Sequence, residues 1–257
     1  MNKSIPFLSL AAALCLVASC GTSKGNVFGN AVPKIADLLI TGGIVYDGSG
    51  NAPKVADVAV CGDKVVYVGN AKSNITKKCK AEKVIDASGY VVCPGFIDPH
   101  NHAETTLLKD KANETYLRMG VTTVIPGMCG GSQYPIKDFF AKLEKQGIGT
   151  NVASFTGHNT LRRKVMGEAA RYATDAEIKQ MQDMICQEMA DGSLGLSTGL
   201  YYVPGCFSEN REVVDIAKAM APFGGIYTTH VRNENKEGIG LYNSIVEALE
   251  IGRKAGV

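Results

Sequence analysis

Pro94-Gly95-Phe96-Ile97-Asp98-Pro99-His100-Asn101-His102 is the stretch on which the fold turns. An apolar pair, Phe96 and Ile97, runs into a polar stop and then two histidines at i and i+2. On a strand that spacing puts both imidazoles on one face. Histidine is the commonest metal-ligating side chain, so His-x-His at a strand end predicts a metal site at the mouth of a strand-and-helix architecture. Two of the chain's four histidines stand here, which weighs against a plain surface turn.

Upstream, from Ala36 to Cys93, the pattern is short and β-rich. Asp37–Thr41, Ile44–Tyr46, Val55–Cys61, Val65–Val68, Val84–Asp86 and Tyr90–Val92 alternate with Gly-, Asp- and Ser-rich turns, and Gly62-Asp63 reads as a hairpin. This predicts a small β-sandwich region over 36–93. Downstream the period changes. Helices are expected over Glu104–Met119, Pro135–Gln146, a run capped at Thr174-Asp175-Ala176-Glu177 and ending at Gly192, Ser208–Met220, and Leu241–Lys254 with Gly256 beyond it. Between them lie the strand candidates Val91–Asp98, Thr122–Cys129, Asn151–His158, Ser193–Leu200 and Gly225–Val231. Strand and helix alternate every ~30–40 residues, the sign of parallel βα construction. No GxGxxG opens a helix after the first strand, so a dinucleotide fold is poorly supported. The expected class is α/β: a β-sandwich region, then a (β/α)₈-type barrel over 94–257 with about five βα units present.

The 257 residues carry 27 Lys and Arg against 25 Asp and Glu, a net charge of +2, and 45% are hydrophobic. That balance excludes a disordered chain and gives no electrostatic footprint for nucleic acid. The N-terminus places Lys3 before the apolar run Ile5–Val17 and ends Leu16-Val17-Ala18-Ser19-Cys20. The run is short for a membrane span and fits a secretory signal over 1–20. Small residues before Cys20 resemble the bacterial lipoprotein signal, with Cys20 lipidated and residues 21–35 as a polar tether. The expected location is therefore the cell envelope, on a membrane anchor at Cys20. The alternative is plain secretion. Six cysteines remain after the signal without a CxxC unit, and their pairing does not follow from spacing.

The other two histidines end strand candidates: His158 closes Asn151–His158, and His230 closes Gly225–His230. Cys129 closes Thr122–Cys129. Chemistry gathered from the ends of several strands is what a βα barrel presents. From Ala36 to Glu104 the sequence resembles the start of the metal-dependent amidohydrolase superfamily. Gly127-Met128-Cys129-Gly130-Gly131-Ser132, Gly157-His158-Asn159-Thr160-Leu161-Arg162, Gly195–Tyr202 and Thr229-His230-Val231-Arg232-Asn233-Glu234 resemble, more narrowly, the D-aminoacylases (N-acyl-D-amino-acid deacylases).

The resemblance implies a zinc-dependent hydrolase that cleaves the amide of N-acyl-D-amino acids. Cys129 and His230 would hold the tighter zinc, and His100 and His102 a second, weaker position. The fourth strand end, Ser197–Tyr202, has no lysine to bridge metals by carboxylation, and the Cys129 thiolate would replace it. Tyr202 would bind the substrate carboxylate, with adjacent Tyr201 able to exchange roles. His158 either contacts substrate or shapes its strand end. Asp98 would support the His-x-His turn, while Arg232 and Glu234 would orient His230 or pair with each other. The resemblance also implies a sixth-strand His with a nearby Lys and an eighth-strand Asp as general acid and base. None is found up to Val257, so no catalytic acid–base is assigned here, the Asp is expected beyond Val257, and the chain is expected to be inactive alone. The alternatives are an amidohydrolase for a cyclic amide or dipeptide, and a non-catalytic truncated lipoprotein.

Overall fold

The computed structural model describes residues 32–70 and 74–257. The signal segment 1–20 with Cys20, and most of the tether, lie outside the described residues. Among the described residues no helix is long and apolar enough to cross a membrane. The chain divides into two compact units. One comprises the described residues up to Phe96 with Leu117–Thr122, the other Ile97–Tyr116 with Thr123–Val257.

The first unit is a mixed sheet of β1 (Ile35–Val45), β2 (Lys54–Cys61), β3 (Lys64–Asn70), β4 (Lys80–Asp86) and β5 (Val91–Val92), with a one-turn helix α1 (Ile75–Lys78). The order is β3-β2-β1-β4, and β5 also pairs with β1. The hairpin at Gly62-Asp63 joins β2 to β3 antiparallel, whereas β4 and β5 run parallel to β1. The two segments expected over Asp37–Tyr46 form one strand, because Gly42 at φ +71 absorbs an irregularity that glycine alone accepts without strain. Buried Asp57 accepts the Gly42 N–H at 3.0 Å and pins that bend.

After Pro94 the chain alternates strand and helix: β6 (Phe96–Asp98), α2 (Glu104–Lys109), α3 (Glu114–Arg118), β7 (Val121–Val124), α4 (Ile136–Gln146), β8 (Asn151–Val152), β9 (Thr156–Gly157), α5 (His158–Met166), α6 (Asp175–Ala190), β10 (Gly195–Gly199), α7 (Asn210–Met220), β11 (Ile226–His230) and α8 (Gly240–Ala255). The strands form two three-stranded sheets, β6-β7-β8 and β11-β10-β9. The pairs β7–β8, β9–β10 and β10–β11 are all parallel, as βα construction requires.

Four expectations need correction. The strand over Val91–Asp98 is two short pieces, β5 on the first sheet and β6 on another. The helix over Glu104–Met119 is broken into α2 and α3, because buried Asn113 at φ +49 turns the chain and bonds Thr150 at 2.9 Å. The strand over Asn151–His158 is two short pieces, β8 and β9, each in a different sheet. His158 does not end a strand but begins α5, a helix absent from the sequence reading.

Helices α5, α6, α7 and α8 pack in succession, and the first three lie against β10. Leu161, Met181, Ile185, Leu196, Val213, Ile216, Met220 and Ile251 fill that core and are inaccessible to solvent. The capping box at Thr174 forms as expected: its hydroxyl accepts from Glu177 N at 3.3 Å, and the Glu177 carboxylate accepts from Thr174 N at 2.8 Å. On α8, by contrast, Leu241, Tyr242, Ile245 and Leu249 stand exposed.

Candidate metal centre

β6 ends at Asp98, and the histidines follow in a loop rather than on the strand itself. Asp98 stiffens that loop. Its carboxylate accepts from His100 N at 3.3 Å, and its carbonyl accepts from Asn101 Nδ2 at 3.3 Å. Buried Asn101 in turn accepts from Ala103 N at 3.2 Å. With Asn101 turned inward, His100 and His102 face outward together, ring centroids 5.8 Å apart.

Cys129 reaches the same point from the loop after β7. Its Sγ lies 3.3 Å from His100 Nε2, and the donor atoms of His100, His102 and Cys129 all lie within 4.8 Å of one another. On the other side, Cys129 Sγ is 3.8 Å from Nδ1 of His230, the last residue of β11. The thiol thus stands between the His-x-His pair and His230. One sulfur among imidazole nitrogens at this spacing is a donor set that zinc accepts. Burial, then the negative charges of Glu104 and Glu234, push the Cys129 thiol up. A cation bound among these atoms would reverse that and favour the thiolate.

The backbone at Cys129 is unusual. Its φ is +54, a region that costs a non-glycine residue about 1–2 kcal/mol. Gly127 and Gly130 beside it are also left-handed, at +86 and +80. Glu104 contributes here, accepting the Gly127 N–H at 2.7 Å. The sequence read Glu104 only as the start of a helix.

Around His230, the Tyr202 hydroxyl is 3.4 Å from Nδ1, with ring centroids 4.7 Å apart. Tyr201 is more exposed, and its ring lies 5.9 Å from the imidazole. Glu234 and Arg232 do not pair with each other. The Glu234 carboxylate takes the far side of His230, 3.3 Å from Nε2, while Arg232 forks onto Glu247 of α8 at 2.9 and 3.0 Å. Glu247, fifteen residues on, had no signal of its own.

His158 is not brought to this cluster. It is fully enclosed, and its Nε2 lies 2.8 Å from Glu212 Oε1 of α7, whose other oxygen receives Arg162. Burial alone would raise the Glu212 carboxyl, yet the bonds and charges of His158 and Arg162 hold it below its ordinary value.

Comparison with known proteins adds to this geometry. Residues 83–239 match the amidohydrolase family. The D-aminoacylase of Alcaligenes xylosoxydans xylosoxydans is 33% identical over 86% of this chain and 49% of its own. The N-acyl-D-glutamate deacylase of the same organism is 31% identical over 86% and 48%. The solved N-acyl-D-glutamate deacylase of Bordetella bronchiseptica, complexed with zinc and a phosphonate inhibitor that mimics the tetrahedral intermediate, superposes with a TM-score of 0.80 at 32% identity, over 86% of this chain and 50% of that one. The chain spans about half the length of the curated relatives it matches.

Proposed function

Because the chain belongs to the amidohydrolase family, we propose that it carries the metal-binding part of a zinc-dependent hydrolase that cleaves the amide bond of N-acyl-D-amino acids. The observation that carries this reading is the convergence of His100, His102, Cys129 and His230 from three separate loops and strand ends around one thiol. The similarity to two N-acyl-D-amino-acid deacylases over most of the chain supports the substrate class.

Zinc, when held there, would supply Lewis acidity, polarising the amide carbonyl and lowering the pKa of water to about 7. Cys129 and His230 would hold the tighter ion, and His100 with His102 a second, weaker one. With its proton on Nε2 and donated to Glu234, His230 offers its Nδ1 lone pair toward the thiol side. Tyr202 puts a hydroxyl beside the same imidazole, where it can donate to the substrate carboxylate. Asp98 holds the His-x-His loop in register, and His158 is left to fix the start of α5.

The parallel strand pairs belong, in this reading, to a (β/α)₈-type barrel. The exposed apolar side chains of α8 support a covering by further polypeptide. We also retain, as a proposal, export and a lipid anchor at Cys20. Radiolabelled fatty acid should enter the expressed protein and be lost in Cys20→Ser, and equal labelling of the two would refute the anchor.

The substrate reading is tested by assaying the product of the complete reading frame, zinc-loaded, on N-acetyl-D-amino acids, their L enantiomers and dihydropyrimidines. Hydrolysis of the D series alone is expected. Turnover confined to the cyclic amides, or to the L series, would overturn the reading.

A further inference from the structure

Cys129 owes its position to atoms outside its own side chain. Ser197, in the middle of β10, is fully buried, and its neighbour Leu196 faces the helical core. Alternation along the strand turns Ser197 to the opposite side. There its hydroxyl donates to Gly127 O at 2.5 Å and accepts from Gly130 N at 3.2 Å. A serine hydroxyl has one donor and two acceptor sites, so this single group closes both ends of the turn that encloses Met128 and Cys129.

We propose that Ser197 is a positioning residue of the metal centre, locking the left-handed turn that presents the Cys129 thiol to His100 and His230. This rests on the reading of Cys129 as a metal ligand.

The packing around the turn points the same way. A Cβ on Gly199 would lie 2.1 Å from Cys129 O, and one on Gly157 would lie 2.2 Å from Gly130 O. Thr160 N also donates to Gly130 O at 3.1 Å. The turn is therefore seated on bare backbone from β9 and β10, with no room to slide. Cys129 lacks the freedom of glycine, so an unbracketed turn would relax toward negative φ and carry Sγ away from the imidazoles. Ser197 is no candidate nucleophile: it has no exposed surface, and both its bonds go to backbone.

The test uses the full-length protein, stripped of metal and titrated with Zn²⁺ and Co²⁺ in competition with a chromophoric chelator. Ser197→Ala should weaken binding about 10- to 100-fold, the range for groups that orient metal ligands. It should also diminish the thiolate-to-cobalt charge-transfer absorption. Ser197→Cys leaves no cavity, being slightly larger, while weakening both bonds, and serves where the alanine variant does not fold. In the unsubstituted metal-free protein, the Gly130 amide should exchange slowly with deuterium. Parent-like affinity and absorption in the Ser197 variants, while Cys129→Ala loses both, would overturn this inference alone, as would a fast-exchanging Gly130 amide. Parent-like binding by Cys129→Ala would overturn the ligand reading beneath it as well.

Discussion

At Glu212 two cationic or hydrogen-bonding partners arrive from one turn of α5, His158 and Arg162, and none of the three side chains is open to solvent. Replacing Glu212 with Gln leaves the Arg162 guanidinium buried without its counter-charge. Chemical denaturation should show a loss of about 3–5 kcal/mol. The folded carboxyl sits below its ordinary value, since His158 and Arg162 outweigh the burial that would raise it. Its stabilisation is therefore complete above the ordinary carboxylate range and is lost as pH falls through the depressed folded value. The urea midpoint of the parent should drop on acidification, and Glu212→Gln should flatten that slope. An unchanged slope would remove Glu212 from the account. His158 shows how far a sequence carries at this scale. Its chemical type was legible, but its partner is 54 residues away and nothing local announces it. Cys129 and His230 were legible because family-like motifs surround them, whereas Ser197 and Glu104 act on backbone atoms of distant residues and leave no such trace.

Among the elements, α6 was the most readable and α5 the least, for one physical reason. In α6 a capping box precedes Ile178, Met181 and Ile185, so its buried face is apolar at helical spacing. In α5 the buried face is made of His158, Asn159, Leu161 and Arg162, three of them polar and each hydrogen-bonded to a distant partner, so it gives no hydrophobic period. Thr174→Ala should cost about 1 kcal/mol, read as a lower urea midpoint. The start of α4 depends on tertiary structure. Pro135 offers no side-chain cap, and the buried Glu188 carboxylate of α6 accepts the Ile136 N–H instead, at 3.1 and 3.2 Å. Glu188→Ala should therefore speed amide exchange at Ile136 more than at the α6 core. Uniform acceleration would mean the effect is global.

For the molecule as a whole, the alternation of strands and helices after Pro94 was legible from spacing, and so was the β-rich unit before it. The division of the strand expected over Asn151–His158 between two sheets was not, because its pieces are only two residues long and their pairing is set by partners on β7 and β10. The exposed Leu241, Tyr242, Ile245 and Leu249 on α8 form an apolar face of the kind that drives association when left uncovered. The 257-residue chain should self-associate, and Tyr242→Lys with Leu249→Lys should raise its monomer fraction in light scattering. A parent that is fully monomeric would show that the face is tolerated in water.

The central claim, that Cys129 and histidine side chains form one metal centre, is tested most directly by X-ray absorption at the zinc edge of the zinc-loaded full-length protein. The geometry predicts a sulfur scatterer at about 2.3 Å together with nitrogen or oxygen at about 2.0–2.1 Å, with the sulfur lost in Cys129→Ala. A zinc shell containing no sulfur would contradict the account.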